Sequence, residues 1–206
     1  MTYMSNEYTT ALQRLPEKHQ ILLSVIVLAL AFSLRSIIRG DYLGAFASAI
    51  AVALGFVCHE LSHRSTAMRL GYIARYRIWP MGLLLALLLS FVTLGRVVFA
   101  APGAVVIYPK YYWAPLSRSD YSKIAASGPI ANIVIGMVAF ILVNFMALPL
   151  WIHVPLLYVA YVNLFLALFN LLPIPPLDGA TVFKYNIKLW GALFIITVIP
   201  FITLFY

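Results

Sequence analysis

The run from Leu43 to Cys58 contains no charged residue and ends directly on the sequence His59-Glu60-Leu61-Ser62-His63. Together, the run and the motif are long enough to cross a membrane as a helix, which takes about 20 residues. Ionisable side chains inside such a helix are costly in lipid and are a sign of function. The chain is therefore expected to fold as a membrane protein that carries a polar site within one of its helices.

The pattern His59-Glu60-x-x-His63 is typical of a helix that binds a metal ion. At roughly 100° per residue, His63 lies about 40° around the helix from His59, so both imidazoles can bind one metal ion from the same face. Glu60 lies about 60° from His63, where its carboxylate can reach a water molecule on that metal without becoming a ligand. The same residues could instead form a polar patch at a helix end, without a metal.

The composition predicts a polytopic, all-α membrane protein with about five to six transmembrane helices. Of the 206 residues, 64% are hydrophobic and 10% are charged, which is far from the composition of a soluble domain. The net charge is +8, and the basic residues in the loops are interpreted as topology signals and contacts with anionic lipid. Nucleic-acid binding is not expected. The single cysteine, Cys58, excludes an intrachain disulfide.

A single transmembrane domain is predicted over residues 20–206, preceded by a cytoplasmic tail over residues 1–19. The apolar runs that can form its membrane helices lie at 20–38, 42–70, 122–147, 155–172 and 189–206. The densest basic cluster follows the metal motif and consists of Arg64, Arg69, Arg75 and Arg77. By the positive-inside rule, this end of the second helix faces the cytoplasm. We therefore expect a multi-pass protein of the cell membrane, with its site near the cytoplasmic side.

The segment between the second and third long helices has a different pattern. Residues 72–79 alternate in polarity, which predicts a short strand. Residues 80–95 are apolar but short for a crossing, so they either enter the membrane and return, or cross it with the following residues returning. Residues 97–107 predict a strand, a turn at Pro102-Gly103 and a second strand. The sequence thus predicts a small membrane-associated β element.

A catalytic zinc ion usually has three protein ligands and an open fourth position, so a third ligand is expected elsewhere in the chain. The acids and histidines outside the motif are Glu7, Glu17, His19, Asp41, Asp120, His153 and Asp178. The first three belong to the amino-terminal flank. Asp41 and His153, the latter in a loop predicted over residues 148–154, are expected outside. Asp120 has the setting of a helix start, and elimination leaves Asp178.

Asp178 follows a stretch that cannot continue a helix. Pro173, Pro175 and Pro176 lack the backbone N–H group and stop the preceding helix, so extended chain carries Asp178 at the cytoplasmic side, where both histidines are expected. Gly179 would permit a left-handed or a tightly packed backbone beside the metal. An ordinary helix-terminating loop with a capping aspartate would have the same sequence.

With these motifs, the chain resembles the site-2 protease family of intramembrane zinc metalloproteases. Beside the histidine motif, the resemblance rests on Gly128-Pro129-Ile130-Ala131-Asn132, which matches a G-x-x-x-N element, and on Asn170-x-x-Pro173 followed by Leu177-Asp178-Gly179. It covers residues 42–179 and implies a three-helix catalytic core. The chain resembles the compact archaeal or bacterial type, since it has no insertion long enough for a PDZ domain and no appended nucleotide-sensing CBS domain.

The resemblance also implies roles for the site residues. The ligands of one Zn²⁺ ion per chain would be His59, His63 and Asp178. Glu60 would act as the catalytic base, and Asn132 would lie near the substrate carbonyl. The supporting residues would be Asn170, Gly128, Pro173 and Gly179. The residues alone leave another role open for Asn132, which shares a helix face with Ala125, Gly128 and Gly136 and would join two helices there.

The predicted function is the hydrolysis of peptide bonds within or next to transmembrane helices, that is, regulated intramembrane proteolysis. The expected partners are transmembrane protein substrates and the lipid bilayer, and the sequence gives no oligomeric state. A helical substrate must unwind locally before its carbonyl groups can react, and residues 97–107 would offer an edge on which it pairs as an added strand.

The alternative function is that of a membrane zinc transporter or a metal sensor. Transport predicts several weaker sites along a path and a histidine-rich loop, whereas this sequence has one compact motif. A zinc protease of the prenyl-protein-processing type would take a later glutamate as its third ligand, and no glutamate follows Glu60. An inactive interaction protein would have lost Glu60 or a ligand, and all are present.

Overall fold

The computed structural model describes residues 10–109 and 116–204. Its elements, in chain order, are a 3₁₀ turn (Ala11–Arg14), α1 (Glu17–Ile38), α2 (Tyr42–Arg69), β1 (Ile73–Ile78), α3 (Pro80–Val92), β2 (Gly103–Tyr108), α4 (Arg118–Phe145), α5 (Leu150–Leu171), α6 (Asp178–Tyr185) and α7 (Ile187–Thr203). The described part of the chain is thus helical apart from one two-stranded sheet. The predicted all-α class with a small β element is confirmed.

Four of the described helices are long and apolar enough to cross a membrane, namely α1, α2, α4 and α5. α2 and α4 have 28 residues each, which is about 42 Å of helix for a hydrocarbon core of about 30 Å. α3 has 13 residues and α7 has 17, so these two apolar helices are shorter than a typical crossing. The protein is therefore a polytopic membrane protein with four long and two shorter apolar helices in its described part.

α2, α4 and α5 pack against one another, and α1 lies along α2. Small residues let these helices approach closely. A Cβ atom on Gly136 of α4 would meet the side chain of Leu164 of α5 at 2.8 Å, and one on Gly55 of α2 would meet Asn163 of α5 at 2.7 Å. Asn163 is fully buried and donates to the carbonyl of Val159 at 2.9 Å. α2 also packs against α4, where Gly128 of α4 lies against the rings of His59 and His63 in the last third of α2.

β1 and β2 form an antiparallel pair of six residues each. This confirms the strand predicted within residues 72–79. Of the strand, turn and strand predicted for residues 97–107, the second strand is confirmed as β2, whereas the first strand and the turn are wrong, because residues 97–102 form no strand and β2 pairs with β1. The N–H group of Trp79 donates to the carbonyl of Pro102 at 2.7 Å, so Pro102 leads the chain into β2 instead of turning it back. The backbone groups of β2 therefore pair with β1, and not with residues 97–101 in a local hairpin.

Side chains from the amino-terminal part of the chain close the outer edge of β1. Glu17 accepts a hydrogen bond from the backbone N–H of Tyr76 at 2.9 Å, and Gln20 accepts one from that of Ile78 at 2.9 Å. Gln13 donates to the carbonyl of Ile78 at 3.1 Å. Since side chains satisfy the backbone groups that a third strand would take, this edge is not open to another chain.

Two helix boundaries follow local sequence signals. Gly71, just beyond the end of α2, has a φ of +87°, and this left-handed conformation is common after a helix and suits glycine. At the start of α4, the N–H group of Asp120 donates to the hydroxyl of Ser117 at 3.0 Å. The helix start predicted at Asp120 is therefore confirmed, with Ser117 as the capping residue.

The loop predicted over residues 148–154 is wrong, because α5 begins at Leu150 and includes His153. The helix predicted to begin at Pro155 therefore begins five residues earlier. A proline removes one N–H donor and clashes with the carbonyl four residues before it. Pro155 lies close to the helix start, so it disturbs a single early hydrogen bond, and the apolar residues on both sides keep the segment helical.

Candidate metal centre

Two histidines from α2 and one aspartate from α6 converge on one point. The Nε2 atoms of His59 and His63 lie 3.0 Å apart, and each lies 3.1 Å from Oδ2 of Asp178. The histidine side chains are 8% and 7% exposed, and the aspartate side chain is 23% exposed. A tetrahedral zinc ion with bonds of about 2.0–2.1 Å has ligand atoms about 3.3–3.4 Å apart. The triangle is thus close to the size that zinc requires.

The hydrogen bond at Nδ1 of each histidine determines which ring nitrogen faces the metal centre. Nδ1 of His63 lies 2.7 Å from the carbonyl oxygen of Ile124, and because a carbonyl can only accept, this nitrogen carries the proton. Nδ1 of His59 lies 3.1 Å from Oδ1 of Asn132, which requires the same arrangement. With Nδ1 occupied in this way, Nε2 of each ring is the nitrogen left to bind a metal, at the point where both rings and the carboxylate of Asp178 meet. Two imidazole nitrogens and one carboxylate oxygen, each ring held by an outer hydrogen bond, fit Zn²⁺.

Asp178 is the first residue of α6, and the end of α5 positions it. α5 ends at Leu171, shortly before Pro173, as the proline pattern predicted. A Cβ atom on Gly179 would overlap the carbonyl group of Leu171, so α6 begins directly against α5. Gly179 has no positive φ, so of the two possibilities stated for it the structure shows tight packing. The indole N–H of Trp190 in α7 donates to the same carbonyl at 2.7 Å.

Glu60 lies at the site without joining the triangle of ligand atoms. It is buried, 6% exposed, and Oε2 of its carboxylate has no hydrogen-bond partner among the described residues. Buried carboxylate oxygens are nearly always hydrogen-bonded. A buried acceptor that lies beside metal ligands and is not used by the fold is available to a reacting molecule.

The structure brings Asn132 into contact with a ligand, whereas the hydrogen bond that Asn170 donates stays within its own helix. Asn132 is fully buried, its oxygen accepts from His59, and its amide nitrogen has no partner among the described residues. Asn170 donates to the carbonyl of Leu166 in its own helix at 2.9 Å. The hydrogen bond to His59 joins α4 to α2, which is the contact between helices that the sequence left open for Asn132, and the hydrogen bond of Asn170 stays within α5.

Gly128 lies against the rings of both histidines. A Cβ atom at this position would overlap Nε2 of His63 and would lie 2.6 Å from its Cε1 and 2.7 Å from Cε1 of His59. The rings cannot retreat, since their Nδ1 atoms are held by Ile124 and Asn132. The absence of a side chain at Gly128 thus allows α4 to support the two imidazoles.

We expect Gly128→Ala to weaken zinc binding by about 10–100-fold, because α4 must move and lose both outer hydrogen bonds. Gly191→Ala in α7 is the matched control, since its Cβ atom would meet no atom within 4 Å. Zinc retained after mild chelation, measured by elemental analysis of both variants, checks this expectation. Equal zinc retention in the two variants would show that α4 does not support the rings.

Sequence reasoning did not identify the carbonyl of Ile124 or the hydroxyl of Ser127. Ser127 Oγ donates to the carbonyl of Ile124 at 2.7 Å and lies 3.5 Å from Nδ1 of His63. A backbone carbonyl leaves no signature in a sequence. The one indication for Ser127 in the sequence is its position directly before the Gly128-to-Asn132 element.

Comparison with known proteins gives two findings. Residues 147–195 match the model of the family described as Peptidase family M50. A protein of Methanocaldococcus jannaschii named "Putative zinc metalloprotease" is 39% identical over 181 residues, which is 86% of this chain and 90% of the relative. No solved structure gives a significant match. The resemblance to the site-2 protease family is thus confirmed: the chain belongs to peptidase family M50 and is a zinc metalloprotease of the membrane.

Proposed function

We propose that this protein hydrolyses peptide bonds within or next to the transmembrane helices of membrane-protein substrates. The observation that carries the proposal is the position of the ligand triangle. His59 and His63 belong to α2, which is long and apolar enough to cross a membrane. About 15 Å of helix separate His59 from Arg69, the last residue of α2. A site at this depth is available to a substrate that is itself in the membrane.

Different residues of the chain have different roles in hydrolysis. When bound by His59, His63 and Asp178, zinc acidifies water and polarises the scissile carbonyl. Glu60 takes a proton from the attacking water at its free carboxylate oxygen and returns a proton to the leaving amine as the C–N bond breaks. The amide nitrogen of Asn132, which has no partner in the described part of the chain, is a candidate donor to the oxygen of the tetrahedral intermediate.

The sheet suggests how an extended substrate is held. Tyr76 and Ile78 direct their N–H groups away from β2, toward Glu17 and Gln20. In an antiparallel pair, the residues directly opposite must then direct their own groups away from β1. These residues are Val105 and Gly103. The outer edge of β2 can therefore accept an unwound substrate segment as an added strand.

The proposed setting is the cell membrane, with several crossings and the site near the cytoplasmic side. The support is the set of basic residues at the motif end of α2 and in β1, Arg64, Arg69, Arg75 and Arg77, because basic residues collect on the cytoplasmic side. Zinc transport would need further ligand clusters along a path. Within residues 10–109 and 116–204, His59, His63 and Asp178 are the one such cluster, and this favours hydrolysis.

Reconstitution tests the proposed substrate class. The zinc-loaded protein in phospholipid vesicles is mixed with single-span test proteins, and fragments are mapped by mass spectrometry. We expect cuts within the apolar span or a few residues from it, and no cuts in a soluble unfolded protein such as casein. A Gly-Pro pair in the span should speed cleavage at least about tenfold, because it lowers the cost of unwinding the helix. Equal cleavage of casein would contradict intramembrane specificity.

A further inference from the structure

A basic cleft of about 590 Å³ lies apart from the metal centre, where the 3₁₀ turn, the start of α1, β1 and the end of α2 meet. The arginines that line it are Arg14, Arg64, Arg75 and Arg77. The one carboxylate among its lining residues is that of Glu17. The basic cleft therefore carries an excess of positive charge.

Glu17 does not neutralise this charge. Its Oε1 atom accepts the N–H of Tyr76 at 2.9 Å and lies 3.8 Å from Nη1 of Arg64, which is a long distance for an ion pair. The Nε atom of Arg64 is buried and has no hydrogen-bond partner among the described residues. Buried donors without partners are rare in folded proteins, so the guanidinium of Arg64 has hydrogen-bonding capacity that the described residues do not use.

The remaining arginines leave further donors free. Arg77 uses Nη1 to donate to the carbonyl of Gln13 at 2.8 Å. Arg14 and Arg75 are exposed, and neither takes part in an ion pair within the part of the chain that the structure describes. Guanidinium groups bind phosphate oxygens through two parallel hydrogen bonds. A phosphate ligand has more acceptor oxygens than a carboxylate ligand, so several guanidinium groups at one cleft favour phosphate.

The lining of the basic cleft is also partly apolar and exposed. Leu15, Met68 and Ile73 line it and are 39%, 57% and 48% exposed. We propose that the basic cleft binds a phosphate group, carried by the headgroup of an anionic phospholipid or by a soluble phosphate. Its volume lies within the range of small-molecule sites. Arg64 directly follows the ligand His63 in α2, so an occupied cleft would hold the end of the helix that carries the metal motif.

Thermal unfolding of the full-length protein in a neutral detergent tests this site, because a ligand that binds the folded state raises Tm. The probes are short-chain phosphatidylglycerol, phosphatidylcholine of the same chain length, and inorganic phosphate at constant ionic strength. The test variant is Arg14→Gln/Arg75→Gln. The matched control is Lys18→Gln/Arg69→Gln, which removes the same charge from exposed residues that do not line the cleft.

We expect Tm to rise with phosphatidylglycerol or with phosphate in the wild type and in the control, and the apparent Kd to be at least about tenfold weaker in the test variant. A rise with phosphate alone identifies a soluble ligand, and a rise confined to phosphatidylglycerol identifies a headgroup. No rise in the wild type, an equal rise with phosphatidylcholine, or an undiminished rise in the test variant would each overturn the proposal. Zinc content checks folding, and the single variants Arg14→Gln and Arg75→Gln replace the pair if it does not fold.

Discussion

Glu60→Gln is expected to abolish measurable peptide-bond cleavage while the protein still binds zinc. The ligand atoms belong to His59, His63 and Asp178, and the amide of glutamine keeps the size of the side chain but cannot accept a proton from water. Loss of a general base typically costs about 10²–10⁴-fold in rate. Single-turnover cleavage of a labelled transmembrane substrate, measured beside zinc content on the same preparation, gives both quantities.

Glu60→Asp serves as the companion variant, because it keeps the carboxylate and shortens its reach by one methylene group. We expect it to retain zinc and to cleave at a rate between those of the wild type and Glu60→Gln. Cleavage by Glu60→Gln at the wild-type rate would mean that another group takes the proton. Loss of zinc from Glu60→Gln would mean that Glu60 supports the ligands instead of the reaction.

The fold class could be predicted because it depends on the length and polarity of segments. Apolar runs fix which segments can cross the membrane, and short signals such as Ser117 before Asp120 fix where a helix begins. The presence of a small β element was predicted correctly, but the pairing of its strands was not. β2 pairs with β1, and the choice between a local hairpin and a more distant partner depends on free backbone groups that a sequence does not display.

The residues of the metal centre were predictable because the chain has few candidates. Six acidic residues and four histidines left Asp178 by elimination, and the structure places its carboxylate 3.1 Å from both imidazoles. The outer contacts were not predictable in the same way. The carbonyl of Ile124 has no sequence signature, and the fit of Gly128 against the rings depends on how α4 approaches α2.

Asn132 shows most directly what a residue pattern cannot predict about the role of a side chain. The sequence allowed two roles, a contact between helices and a donor to the substrate carbonyl. The structure gives its two amide atoms different surroundings, since the oxygen accepts from His59 and the nitrogen has no partner among the described residues. One side chain can therefore orient a ligand with one atom and offer a donor with the other, and a residue pattern alone does not separate these roles.

Asp178→Ala is expected to lose the zinc that the wild type holds at about one ion per chain. Zinc ligands commonly number three, with a fourth position open, and removal of one leaves two imidazoles to hold the ion. Loss of an outer contact typically weakens metal affinity by about 10–100-fold, so loss of a ligand should weaken it by more than about 100-fold. Elemental analysis after mild chelation and re-addition of zinc measures the difference.

Asp120→Asn provides the matched control, because Asp120 is also an acid in the first turn of a helix and lies outside the ligand triangle. It should keep its zinc. If Asp178→Ala also kept its zinc at wild-type affinity, Asp178 would be an ordinary residue of a helix start and the third ligand would lie elsewhere. If zinc is lost from Asp178→Ala alone, the metal joins α2 to α6 across the end of α5. Proteolysis then depends on a site that two separate parts of the chain assemble.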